Sequence, residues 1–197
     1  MRPLPRGRGL YSGGMKGTSA LPVLVFAGLL AGGCASSGRY GYARTYVALD
    51  DEATWAARSQ EPVYDDVRRA PEPFRGQVLS FFGVVRSVGH AEGGVTRLAL
   101  QVRTHQERHL CEEDSESTCR VTVSARDGGA FTAVVTLRPE DMDGENRLQT
   151  NSLVRVFGTV TPGEYDPDGG PVVQVQYYRH WPRGQYVTTA SAELMRR

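Results

Sequence analysis

Between Val78 and Tyr178 the chain holds a series of short stretches rich in Val and other apolar residues, several alternating apolar and polar with a period of two, separated by loops and broken at 104–118, and that pattern leaves few folds open. In VTRLALQVR (95–103), Leu98, Leu100 and Val102 share one face while Arg97, Gln101 and Arg103 share the other. LVRVFGTV (153–160) groups Val154, Val156 and Val160, and VVQVQYY (172–178) groups Val173, Val175 and Tyr177. VLSFFGVVRSV (78–88) carries Gly83 in its middle, where a glycine marks a bulge or bend. Two shorter runs, CRVTVSAR (119–126) and FTAVVTL (131–137), flank a hairpin-turn signal at Asp127-Gly128-Gly129. Pro139 opens a helical turn, and TPGEYDPDGG (161–170) reads as a polar hairpin loop.

A bent glycine-bearing strand, two more strands, a short helix and two final strands is the order of an OB-fold, a five-stranded Greek-key barrel. The expectation is therefore an all-β domain with minor helix over 63–182, interrupted by a hairpin inserted within 104–130. The pieces FRGQVLSFFGVVRSV (74–88), TRLALQV (96–102), LVRVFGTVTPG (153–163) and PVVQVQYYRHW (171–181) also resemble the Slp-type outer-membrane lipoproteins. That resemblance implies an exported, lipid-anchored OB domain with no assigned chemistry. The insert at 104–130 and the segment LRPEDMD (137–143) depart from the family pattern.

The N-terminal stretch bears on where such a barrel works. Ala20 to Ala31 is apolar but shorter than the ~20 residues that span a bilayer, which suits a signal-peptide core. It ends in Leu30, Ala31, Gly32, Gly33 and then Cys34, which resembles the lipobox of bacterial lipoproteins, with Ala31 where leucine is usual. The resemblance implies a signal peptide over 1–33 and a mature chain whose Cys34 carries lipid, palmitate included. Several acyl chains, at about 0.8 kcal/mol per buried methylene, make a lasting membrane anchor. Met15-Lys16 before the apolar run already forms a complete signal, so translation is expected to start at Met15. Ala35 and Ser36 after the cysteine, rather than an aspartate, imply the outer membrane. Residues 34–62 are expected to form a lipid tether with a short helix that Asp50 caps, carrying Tyr46 and Trp55 nearby. A helical turn is expected at 64–70, and the tail 183–197 is expected to carry a last short helix.

Removing 33 residues changes the charge. Arg2, Arg6, Arg8 and Lys16 all precede Cys34, which leaves 19 of the 23 basic residues against 22 acids. No lysine follows Lys16, so Schiff-base and phosphate-loop lysines are excluded from the mature chain. A slightly acidic exported domain also argues against a nucleic-acid partner.

With Cys34 assigned to lipid, Cys111 and Cys119 remain, flanking the acidic loop EEDSEST. In an exported chain such a pair reads as a disulfide. The competing reading is zinc held by His105, His109, Cys111 and Cys119, without the C-x-x-C knuckle that zinc sites usually show. Glu112, Glu113, Asp114 and Glu116 read as a solvated loop or, less simply, a calcium site, and Asp166 to Gly170 reads as a turn. His90 and His180 stand alone, and no nucleophile motif is present in the sequence. No cofactor or metal is expected. The OB-fold offers a binding face, for which Arg97, Gln101, Arg103, Tyr177, Tyr178 and Trp181 are the candidates. The functional expectation is a non-enzymatic envelope lipoprotein binding a protein, peptidoglycan or glycan. The alternatives are a structural or envelope-stress lipoprotein without a small ligand, or a zinc or redox enzyme built on the Cys/His insert.

Overall fold

The computed structural model describes residues 38–90 and 92–195; the signal segment, Met15 and Cys34 lie outside them. Five strands close a barrel: β1 (Leu79–His90), β2 (Thr96–Arg103), β5 (Ala130–Val135), β6 (Leu153–Tyr165) and β7 (Pro171–Trp181). Their order is β1-β2-β5-β7-β6, with β6 returning to β1. Every pairing is antiparallel except β5 with β7, which is parallel. This is OB topology, as the strand pattern predicts. Helix α3 (Pro139–Met142) lies between the third and fourth barrel strands. The insert contributes β3 (His105–Leu110) and β4 (Arg120–Val123), and the tail contributes β8 (Tyr186–Thr188). These three form a second sheet in the order β3-β4-β8.

Alternation gives the barrel core correctly where the strands are regular. Leu98, Leu100 and Val102 of β2 meet Val154, Val156 and Val160 of β6 inside it, with Phe81, Val85 and Phe131. Each such side chain contributes roughly 1.5–3 kcal/mol of apolar burial. Gly83 does not bulge. It pairs with both Val102 and Val154 at the closure of the barrel, and a Cβ there would lie 3.1 Å from Leu100 Cβ. The irregularity in β1 falls one turn of pleat later, between Val85 and Ser87.

A second irregularity, in β7, corrects the sequence reading. Phe157 pairs with Tyr177 but Gly158 pairs with Val175, so Gln176 is an extra residue. The inward face therefore passes from Val173 and Val175 to Tyr178, and Tyr177 turns outward. Gly158 permits this: a Cβ there would stand 2.4 Å from the Gln174 carbonyl oxygen. The supposed hairpin at Asp127-Gly128-Gly129 is also not one. It carries the chain from β4 in one sheet to β5 in the other, and Gly128 N–H and Gly129 O bond to the Val102 backbone instead.

From Gly38 onward the expected tether is packed into the domain. Thr45 bridges to Arg108, and helix α1 (Asp50–Ala56) buries Glu52 completely. Leu49, not Asp50, occupies the cap position, and the Glu52 carboxylate closes the turn by accepting from Leu49 N–H at 3.2 Å. Helix α2 (Tyr64–Arg69) packs Tyr64 and Val67 into the barrel's hydrophobic core, with Tyr64 beside Phe81 and Phe131. The tail joins the second sheet through β8, parallel to β4, and ends in helix α4 (Ala192–Met195).

Candidate functional site

The six candidate binding residues do not share one surface. On β2, Arg97 is exposed, whereas Gln101 and Arg103 both bond to the Asp127 carboxylate, and Arg86 reaches Gln101 Oε1 at 2.5 Å. On β7, Tyr177 is half-buried and stacks on Trp55 at 6.2 Å, with the Arg58 guanidinium 3.6 Å above the indole. Trp181 is fully buried, which removes it from any open face, whereas Tyr178, though largely buried, joins Tyr177 in lining a pocket of about 220 Å³ beside Val135 and Arg138. The bulge at Gln176 turns Tyr178 inward, and the insert and the 38–49 segment cover Trp181.

Arg103 does line a groove of about 420 Å³. One wall is Glu61 to Asp65, the other is formed by Phe82 of β1, Arg103 of β2 and His105 of β3. Arg103 Nε and His105 Nε2 are both buried and lack a hydrogen-bond partner among the described residues. Unpaired buried polar atoms are uncommon in folded proteins and mark places where a partner is missing. Burial, then the neighbouring His109 and Arg155, push His105 down to about 4, so its imidazole is neutral at physiological pH. Phe82 stacks on that ring at 4.8 Å. The groove thus offers a donor, a neutral imidazole, an apolar wall and two carboxylates at its rim. A larger concavity of about 820 Å³ lies beside α3, but none of its lining residues carries an unpaired buried atom.

Behind the groove lies a buried ion network. Arg155 of β6 donates to Glu52 Oε1 at 2.9 Å, to Ser80 Oγ at 3.1 Å and to Glu61. Arg179 of β7 donates to Glu52 Oε2 at 2.9 Å and to the backbone oxygens of Arg39 and Val47, each at 2.9 Å. Tyr46 donates to Glu52 as well; burial, then that carboxylate, raise its pKa far above the ordinary phenol range. Around it stand Phe82, His105, His109 and Trp181. Sequence reasoning missed this network. Arg155 sits at an outward strand position that reads as solvent-facing, Arg179 is turned to the same outer face only by the Gln176 bulge, and Glu52 sits in a segment that reads as linker.

His180, isolated in the sequence, is fully buried with Asp141. Its Nδ1 lies 3.3 Å from Asp141 Oδ1, and its Nε2 lies 2.9 Å from the Asn146 carbonyl oxygen. Burial raises Asp141, but the hydrogen bond from Tyr178 and the charges of His180 and Arg138 outweigh it and hold the carboxyl below its usual range. Arg39 completes this cluster at 2.6 Å.

Cys111 and Cys119 form a disulfide. The zinc reading is thereby corrected, since two of its four ligands are bonded to each other. Among the described residues no three His, Cys, Asp or Glu side chains gather as a metal site requires. Glu112, Glu113 and Asp114 are exposed, as a solvated loop would have them, and Asp166 accepts from Asp168 and Gly170 N–H in the expected turn. The side chains of His90 and Glu116 lie outside the described set. A scan against models of known protein families finds no match, and neither does a search of curated proteins.

Proposed function

We propose that this chain is a non-enzymatic, lipid-anchored protein of the bacterial cell envelope, held in the outer membrane at Cys34. Its OB domain binds an envelope partner, a protein, peptidoglycan or glycan, along the groove beside Arg103 and His105. The observation that carries the reading is the sequence Leu30 to Cys34 placed just ahead of a domain that holds a disulfide. Disulfides persist in oxidising compartments outside the cytoplasm. A binding role is supported by where the titratable groups are: Glu52, Arg155, Arg179, Asp141 and His180 are buried and engage one another rather than a solvent-open cleft. The groove's neutral imidazole, its Arg103 donor and the two carboxylates at its rim suit a polar partner recognised by hydrogen bonds and apolar contact.

Membrane fractionation tests the anchor. The wild-type protein pellets with membranes after a salt wash, and Cys34→Ala is found in the soluble fraction; an unchanged pellet contradicts the anchor. A photo-crosslinking residue at Val63, which is 67% exposed on the groove's rim, tests the binding site in intact cells. A discrete adduct there, lost on Arg103→Ala, supports the groove. No adduct favours the alternative, a structural lipoprotein without a ligand at this place.

A further inference from the structure

We propose that the end of the domain formed by Gly38 to Tyr42, Arg120 and Pro182 to Gln185 lies against the lipid surface, with the β6–β7 hairpin pointing away from it. The inference rests on the lipidation reading and adds an orientation to it. What carries it is a length. The turn Gly38–Gly41 is closed by Gly41 N–H to Gly38 O at 3.3 Å, and the residues within it are fastened to the domain. Arg39 bonds to Asp141 at 2.6 Å, and its carbonyl oxygen accepts from Arg179 Nε at 2.9 Å. Tyr40 packs on His180 at 5.9 Å, and Tyr42 donates to Gln185 Oε1 at 2.8 Å. Residues 35–37 alone separate Cys34 from this anchored turn. At no more than ~3.6 Å per residue, the four steps from Cys34 to Gly38 span at most about 14 Å. Part of that reach is used in crossing the headgroup layer, since a bilayer is ~40–45 Å thick with headgroups and ~30 Å without. The leash is too short to lift this end of the domain clear of the surface.

The far end follows from β7. Its Trp181 end is beside the anchored turn, and its Pro171 end carries the hairpin. Ten steps of ~3.3 Å, less the shortening at the Gln176 bulge, set the two ends about 30 Å apart along the strand. Near this end Arg44 faces Asp114 at 3.6 Å and Arg39 faces Glu140 at 3.6 Å and Asp141 at 2.6 Å, so those two guanidinium groups are already answered by carboxylates. The surface near the leash suits headgroups: Tyr42 is 38% exposed with the Arg120 guanidinium 4.7 Å over its ring, and tyrosines favour that depth.

The test uses the full chain, produced in bacteria, purified from membranes and reconstituted in nanodiscs with a headgroup-spin-labelled phospholipid. Arg183→Cys and Asp168→Cys, each at an exposed turn, carry a thiol-reactive fluorophore; Cys111 and Cys119 stay bonded to each other. The expected result is strong quenching at position 183 and none above the spin-free control at position 168. A long Gly/Ser spacer placed after Ser37 abolishes the difference. Equal quenching at both positions on the native leash, or stronger quenching at 168, overturns the orientation. The intact mass of the same sample reports the lipid separately. If Cys34 proves unmodified, the lipidation reading fails, and a maleimide phospholipid coupled to Cys34 repeats the comparison. The same quenching pattern then upholds the geometric inference, and equal quenching overturns it.

Discussion

The interior of the barrel and the interior between barrel, insert and N-terminal segment share strands β1, β6 and β7, yet they are built on different chemistry. The first is a hydrocarbon core, filled by Leu79, Phe81, Val85, Leu98, Leu100, Phe131, Val154 and their neighbours. The second has a small apolar part, with Phe82, Val84, Val121, Val123, Leu153 and Trp181, and surrounds a carboxylate gripped by two guanidinium groups. A hydrocarbon core accepts any shape that fills it. A buried ion pair accepts almost no change in one partner, because the other charge is then left without its counterion in a poorly solvated place.

The largest effect that separates the two interiors is at Glu52. Glu52→Ala leaves Arg179 without its carboxylate and Arg155 with only the more exposed Glu61, and is expected to cost about 3–5 kcal/mol in urea unfolding. Replacing all three, as Glu52→Met with Arg155→Met and Arg179→Met, is expected to recover most of that loss, since apolar substitutes for buried ion groups are often neutral or better. A single Glu52→Ala that unfolds like wild type would mean the second interior is not organised by its ions. Volume-conserving changes in the barrel, such as Leu100→Ile, are expected to cost under about 1.5 kcal/mol. Arg155→Lys should cost more than Leu100→Ile, because one ammonium cannot reproduce a planar fork that meets Ser80, Glu52 and Glu61.

The disulfide comes next. Cys111→Ser with Cys119→Ser releases a sequence separation of 8, worth about 2.5 kcal/mol in the chain-entropy account. Hydrogen exchange localises the effect: amides of β3, β4 and β8 should lose protection first, while those of β2 and β5 keep theirs. Uniform loss across both sheets would show that the two regions unfold as one.

Acid sharpens the contrast at smaller scale. His105 in the folded protein titrates near 4, below the 6.5 of a free imidazole, so the unfolded chain binds more protons between those values. Its stabilising contribution is whole above pH 6.5 and is lost as the pH falls toward 4. The groups facing it are His109, Arg155 and Glu52. Thermal unfolding of wild type should fall further over this interval than that of His105→Gln; equal falls would place the sensitivity elsewhere. The smallest effect is expected at Arg97, exposed on β2, where Arg97→Ala should stay within about 0.5 kcal/mol.

The contrast also explains which parts of the molecule could be read without a structure. Strand alternation reports burial on one face, so the β2 triplet Leu98, Leu100, Val102 and the β6 triplet Val154, Val156, Val160 were legible, and the barrel with them. Alternation treats the other face as solvent. Arg155 lies on that face, and the Gln176 bulge brings Arg179 to it, but both are buried there beneath residues 38–61, whose sequence shows no strand period. A one-residue bulge erases the pattern altogether: Gln176 exchanges the roles of Tyr177 and Tyr178, and nothing short of the pairing with Gly158 reveals it. Of the binding candidates, Arg103 reaches a groove, and the histidine beside it, His105, was seen only as a possible zinc ligand. The signal available for the second interior was the density of aromatic and basic residues in QYYRHW (176–181), which is unusual for a strand facing water.

The intact mass of the protein extracted from bacterial membranes tests the central claim most directly. The account predicts a chain that begins at Cys34, carrying a diacylglycerol and a further acyl group, with Cys111 and Cys119 still oxidised. A chain that begins at Met1 or Met15, or one that begins at Cys34 with an unmodified thiol, would contradict it.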